Sequence, residues 1–149
     1  MSLENKITQN CPHCQSSQEL SFYRSVNVTI DPTLKERVLR GKLNTQDCSN
    51  CGEEINIVSD FLYHDMEHKL MIHFKEELDS KELENFEMVK DLKDKGYIYR
   101  HVKSYPELIE KIKIFDLRLN DLVIASVKLN IYAMLKDSLK EVVDDFQEV

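Results

Sequence analysis

Two Cys-x-x-Cys pairs, Cys11-Pro-His-Cys14 and Cys48-Ser-Asn-Cys51, constrain this chain more than any other feature. Cysteines with two residues between them supply two corners of a metal tetrahedron, because the intervening residues turn the backbone and aim N–H groups at the sulfurs. Two pairs fill all four corners. In a reducing compartment, four cysteines so arranged are metal ligands before they are disulfides. The expected site is a closed zinc centre held by Cys11, Cys14, Cys48 and Cys51, one per chain and structural, with no open position for a catalytic water. Redox dithiols and iron stay open as alternatives. His13, inside the first pair, is expected at an exposed knuckle position. The 33 residues between Cys14 and Cys48 exceed the commonest spacing of about 15–20, so secondary structure must be inserted between the knuckles.

The insertion is readable. LSFYRSVNVTI is rich in β-branched and aromatic residues and reads as a strand, or two, ending near Ile30. Asp31 as N-cap, Pro32 in the first turn, Leu34, Val38 and Leu39 on one face and Gly41 as the stop define a short helix. After Cys51, Gly52 stands where a turn around a metal needs positive φ. EEINIVSDFLYH and KLMIHF (69–74) read as strands, with the intervening HDMEH as a turn.

Asp79-x-x-Glu82 reads as a capping-box variant opening a charged helix that ends at Lys95-Gly96. YIYRHV (97–102) alternates like a strand. Ser104-x-x-Glu107, with Pro106 in the first turn, opens a stripe at helical spacing: Leu108, Ile109, Ile112, Phe115, Leu119, Leu122, Val123, Val127, Ile131, Met134 and Leu135. Asn120-Asp121 could cap a second helix within it, and the tail KEVVDDFQEV is expected to fray. The fold class expected is α+β: a small zinc-ribbon-like antiparallel β module with an inserted short helix (1–78), then a mainly α-helical region (79–149) carrying one short strand. That region would pack on the module or on a partner subunit.

Charge narrows the function classes. The chain carries net charge -7, spread over both halves: residues 1–77 hold 8 Lys/Arg against 12 Asp/Glu, and residues 78–149 hold 12 against 15. Neither half offers the basic face that neutralising phosphates requires. Arg24, Lys35, Arg37, Arg40 and Lys42 form the one basic cluster, and a nucleic-acid reading would rest on them. No signal peptide is expected at the start, and the apolar run Leu122–Val127 is far shorter than the ~20 residues of a membrane span. The expected location is cytoplasmic.

Tyr63-His64-Asp65-Met66-Glu67-His68 raises the question of a hydrolase, since His-Asp-x-x-His approaches the zinc-protease signature. That chemistry needs both histidines one turn apart on a helix and an acid that reaches a water. Here the flanks read as strands, and Asp reaches about one methylene less far than Glu. His64, Asp65 and His68 are therefore kept as a possible secondary site, against a structural reading in which Asp65 caps backbone N–H groups and His64 packs or hydrogen-bonds. No catalytic residue is assigned. Glycine-rich phosphate loops and Gly-x-Ser-x-Gly turns are absent from the sequence.

Cys11, Pro12, Cys14, the Asp31-Pro32 helix start, Gly41, Cys48, Cys51, Gly52 and Tyr63-His64-Asp65 together resemble the CpXC domain family, and YRHVKSYPELIEKIKIFDLRLND resembles the tail that follows that domain. The family is named for two Cys-Pro-x-Cys pairs, and Ser49 stands where the second proline would. The resemblance implies zinc binding but carries no assigned biochemical function. The expectation is a non-catalytic protein-binding or scaffold module, with a protein partner or a second copy engaged through the Leu108–Leu135 stripe. The alternatives are a nucleic-acid-contacting regulator and a metal-dependent hydrolase.

Overall fold

The computed structural model describes residues 2–75 and 86–147, and the described chain is α+β. Its strands are β1 (Leu3–Asn10), β2 (Ser17–Asn27), β3 (Thr45–Asp47), β4 (Glu54–Asn56), β5 (Phe61–Asp65), β6 (Leu70–Phe74) and β7 (Ile98–Val102). Its helices are α1 (Pro32–Leu39), α2 (Phe86–Asp94), α3 (Tyr105–Asp116) and α4 (Asp121–Gln147). The chain divides into two compact units, residues 1–110 and 111–149.

In the first unit, five strands form a sheet in the order β1-β2-β5-β6-β7, and β3 pairs with β4 in a separate ribbon. The expected antiparallel module is in fact a mixed sheet, because β2 pairs with β5 and β6 with β7 in parallel. Parallel neighbours require a crossover. The segment containing α1, β3 and β4 supplies the first, and the segment containing α2 supplies the second. EEINIVSDFLYH accordingly splits between β4 of the ribbon and β5 of the large sheet. β1 has no signal of its own: all but one of its residues are exposed, and it forms by pairing along β2 from Leu3↔Ser25 to Asn10↔Ser17.

Alternation along the strands sorts the residues. Phe61, Tyr63, Leu70, Ile72, Phe74 and Val102 are buried, with Val26 of β2, Leu34 and Val38 of α1, and Leu108 of α3. The helix ends behave as their sequences demand. The Asp31 carboxylate accepts from Thr33 N at 3.1 Å. Gly41, at φ +70, and Lys42 donate to Val38 O and Arg37 O, the two bonds of a Schellman stop. Gly96, at φ +78, stops α2 in the same way. Asn120 caps α4, accepting from Leu122 N at 2.9 Å. α4 runs to Gln147 and so takes in most of the KEVVDDFQEV segment. The Asp79-x-x-Glu82 box and the 78/79 boundary lie outside the described residues.

The ribbon joins the large sheet through side-chain amides. Asn44 Oδ1 accepts from Tyr23 N at 2.7 Å while its Nδ2 donates to Tyr23 O at 3.3 Å. Gln46 treats Ser21 N and O in the same way. Two amides thus stand in for a strand along an edge of β2 that β5 does not reach. Truncation of the buried Asn44 to alanine would orphan both Tyr23 groups. Asn44→Ala is expected to lower stability by about 2 kcal/mol, read as a shifted urea midpoint with unchanged slope; a loss below about 0.5 kcal/mol would mean that water replaces the amide.

Candidate metal centre

Each cysteine pair sits at the tip of a β-hairpin, the first between β1 and β2, the second between β3 and β4. The two tips have one backbone design. In the first, Cys11 N donates to Ser16 O at 2.9 Å, Gln15 N to Cys11 O at 3.0 Å and His13 N to Cys11 Sγ at 3.4 Å. In the second, Cys48 N donates to Glu53 O at 2.8 Å, Gly52 N to Cys48 O at 2.9 Å and Asn50 N to Cys48 Sγ at 3.4 Å. The residue after each second cysteine has positive φ, +61 at Gln15 and +75 at Gly52. Glycine meets this at no steric cost, whereas Gln15 bears it as strain.

The knuckles face one another. Cys11 Sγ lies 3.8 Å from Cys51 Sγ, and Cys14 Sγ lies 3.7 Å from Cys48 Sγ. All four sulfurs fall within 4.8 Å of each other. These separations are far longer than the ~2.05 Å of a disulfide. The contacts at 3.7 and 3.8 Å match the edge of a tetrahedron whose centre-to-sulfur distance is ~2.3 Å, about 3.8 Å, and the four sulfurs together form a cluster of the size that one tetrahedral thiolate metal needs.

The electrostatics favour a dication. Hydrogen bonds from Ser16, at 3.0 Å, and Asn50 pull the Cys14 thiol down to about 5, and backbone N–H groups of Cys51 and Asn50 pull Cys48 down to about 7. At Cys51 the Glu53 backbone N–H acts downward, but desolvation and the three neighbouring sulfurs outweigh it and push the thiol up to about 12. Without a cation Cys51 keeps its proton, whereas a divalent metal replaces that proton and relieves the crowding of charge. Leu20 and Ile55 close an apolar cluster with Cys11 and Cys48, and Ile57 packs against it.

The CpXC protein family matches residues 9–128, which include both knuckles and most of the remaining chain. This chain belongs to the CpXC family. Curated proteins and solved structures contain no match. The departure at Ser49 has a local reason in this CpXC protein. Its backbone N–H and hydroxyl both donate to Gln18 Oε1 at 3.0 Å, and proline would have neither donor. His13 is exposed on its knuckle.

HDMEH is a β5–turn–β6 corner, so period-two alternation separates its residues. His64 leaves one face of the sheet, where Asn27 Nδ2 lies 3.4 Å from its Nδ1, Tyr97 Oη lies 3.2 Å from its Nε2, and the Tyr97 ring packs beside it. Burial, the largest cause, holds the His64 pKa below its ordinary value. Asp65 points the other way, is 4% exposed, and accepts from His68 N at 3.1 Å and His68 Nδ1 at 2.9 Å. Lys35 Nζ is 4.0 Å away. The structural reading of Asp65 as a cap therefore matches its contacts, and His64 hydrogen-bonds to Asn27 and Tyr97 instead of joining the Asp65–His68 pair. Sequence reasoning missed Asn44, Gln46 and Gln18, because nothing in an isolated amide signals which backbone it will serve.

Proposed function

We propose that this CpXC protein is a non-catalytic zinc-stabilised module that works by binding protein, and that its first partner is a second copy of itself. The carrying observation is the sulfur cluster: four cysteines lie within 4.8 Å of one another, enough to fill the shell of a tetrahedral metal, which would then have no position for substrate or water. Zinc suits an all-thiolate tetrahedron and contributes folding free energy there. Within the HDMEH pattern only Asp65 and His68 pair with each other, while His64 lies on the other face of the sheet beside Asn27 and Tyr97. No described helix is long and apolar enough to cross a membrane, and reduced cysteine ligands suit a cytoplasmic setting.

The basic cluster offers little to nucleic acid. Arg40 pairs with Glu36 at 2.6 Å, Lys42 with Glu54 at 2.6 Å, and Arg37 donates to Leu43 O at 2.6 Å. Charges already met in this way have less to gain from phosphate.

Self-association is supported by α4. Leu108, Ile112, Ile114 and Phe115 are buried, whereas Leu117, Leu119, Leu122, Val123, Val127, Leu129, Ile131, Tyr132, Met134 and Leu135 are all 45–70% exposed. At roughly 100 Å² of apolar surface each, these ten side chains, Leu117 and Leu119 just before α4 and eight around it, expose roughly 1,000 Å², part of which a second copy would cover. The helix sequence is also charge-asymmetric. Residues 122–136 contain Lys128 and Lys136 with no acid, and residues 137–147 contain four acids against Lys140. Two copies laid antiparallel put the basic stretch of each beside the acidic stretch of the other, as a two-fold axis requires. Native mass spectrometry and sedimentation are expected to give a dimer, and Ile131→Glu with Leu135→Glu a monomer whose knuckles stay folded. A wild-type monomer at micromolar concentration would overturn the self-association.

A further inference from the structure

A cavity of about 320 Å³ opens between the β3–β4 ribbon and the start of α3, at the lower end of the range for small-ligand pockets. Three rings form its apolar wall. Phe61 and Phe74 lie 5.5 Å apart between centroids, and Tyr105 lies 5.6 Å from Phe74 and 6.4 Å from Phe61. The Tyr105 ring is fixed by its hydroxyl, which donates to Val38 O at 3.0 Å, and burial pushes that phenol up to about 12, so it adds no negative charge. Ile57, which packs against the cysteine cluster, lines the same cavity.

The polar side is one-signed. Lys103 is exposed at the cavity and is the single cationic residue among those lining it, where no carboxylate occurs. Ser59 Oγ, also lining it, accepts from Asn44 Nδ2 at 2.9 Å, which leaves the hydroxyl proton to donate. The chain as a whole is acidic, at net charge -7. An aromatic-walled cavity carrying a cation and a donor suits a ligand with an apolar body and an anionic end, held by this local charge against the acidity of the chain as a whole. We infer that this cavity binds a small organic anion of that kind, an aryl carboxylate being the simplest, with its ring on Phe61, Phe74 and Tyr105 and its carboxylate toward Lys103 and Ser59.

The test is a charge series on the metal-loaded, full-length protein, followed by isothermal titration and by NMR shifts of the cavity residues. Phenylacetate, neutral phenylacetamide and cationic phenethylamine keep one ring and change only the sign of the end group. Wild type is expected to bind phenylacetate most tightly and phenethylamine least. Lys103→Gln is expected to weaken phenylacetate by about tenfold and leave phenylacetamide unchanged. Lys103→Glu is expected to reverse the order, so that the amine binds best. Lys103 is exposed, so both variants should melt near wild type; if Lys103→Glu does not, the Lys103→Gln comparison decides. No binding of phenylacetate at millimolar concentration, equal binding of all three compounds, or a carboxylate affinity indifferent to Lys103→Gln would overturn the inference.

Discussion

Replacing Cys11 with serine is expected to release the metal and unfold the knuckle-bearing half of the protein. Cys11 is fully buried, closes one knuckle through its own carbonyl and sulfur, and faces Cys51 at 3.8 Å. A structural zinc contributes an apparent ~10–16 kcal/mol in small zinc modules, as much as the whole ~5–15 kcal/mol of an ordinary domain. Losing one of four ligands therefore removes more than the module can spare. Circular dichroism and thermal melting of Cys11→Ser, and of wild type after chelation, should show the same loss, and added zinc should reverse only the second. A Cys11→Ser protein that stays soluble and melts like wild type would sink the structural role of the site.

Asp65→Ala should carry the largest effect outside the cysteines, about 3 kcal/mol, because it takes the acceptor from both His68 N–H groups and leaves a hole where a buried carboxylate stood. Burial by itself would raise the Asp65 pKa; hydrogen bonds from His68 and the charge of Lys35 outweigh it and hold the carboxyl below its ordinary value. The sign of the pH dependence follows. A carboxyl depressed in the folded state adds stability that is complete above its unfolded pKa of about 3.9 and is lost as pH falls through the lower folded value. The difference between wild type and Asp65→Ala in urea denaturation should thus be full at neutral pH and shrink below about pH 4. A difference that is constant down to about pH 3 would mean that the cost is packing and not charge.

Local chemistry was the legible part of the sequence. The cysteine spacing, the Asp31-Pro32 opening, the Gly41 and Gly96 stops and the Asn120 cap each depend on a few adjacent residues, and each occurs where the sequence put it. The strand flanks of HDMEH were also legible, and the alternating burial of β5 puts Tyr63 and Asp65 on one face and His64 on the other. What the sequence hid was non-local. β1 is polar along most of its length and is a strand only because β2 lies beside it. The parallel pairs β2–β5 and β6–β7 join segments far apart in the chain, and no residue within them marks the direction of a neighbour. Asn44 and Gln46 look like loop amides, although they hold the β3–β4 ribbon to the sheet. The stripe from Leu108 to Leu135 is one periodic run in the sequence but divides in the protein, with Leu108, Ile112 and Phe115 buried and Leu119, Leu122, Val123, Val127, Ile131, Met134 and Leu135 exposed.

X-ray absorption at the zinc edge, on protein purified without added metal, reads the identity and ligand set of the metal at the four cysteines. One zinc per chain with four sulfur neighbours at about 2.3 Å and no nitrogen or oxygen in its shell is the expected result. Fewer than four sulfurs, a light-atom ligand completing the shell, or a protein that folds with no metal at all would contradict it.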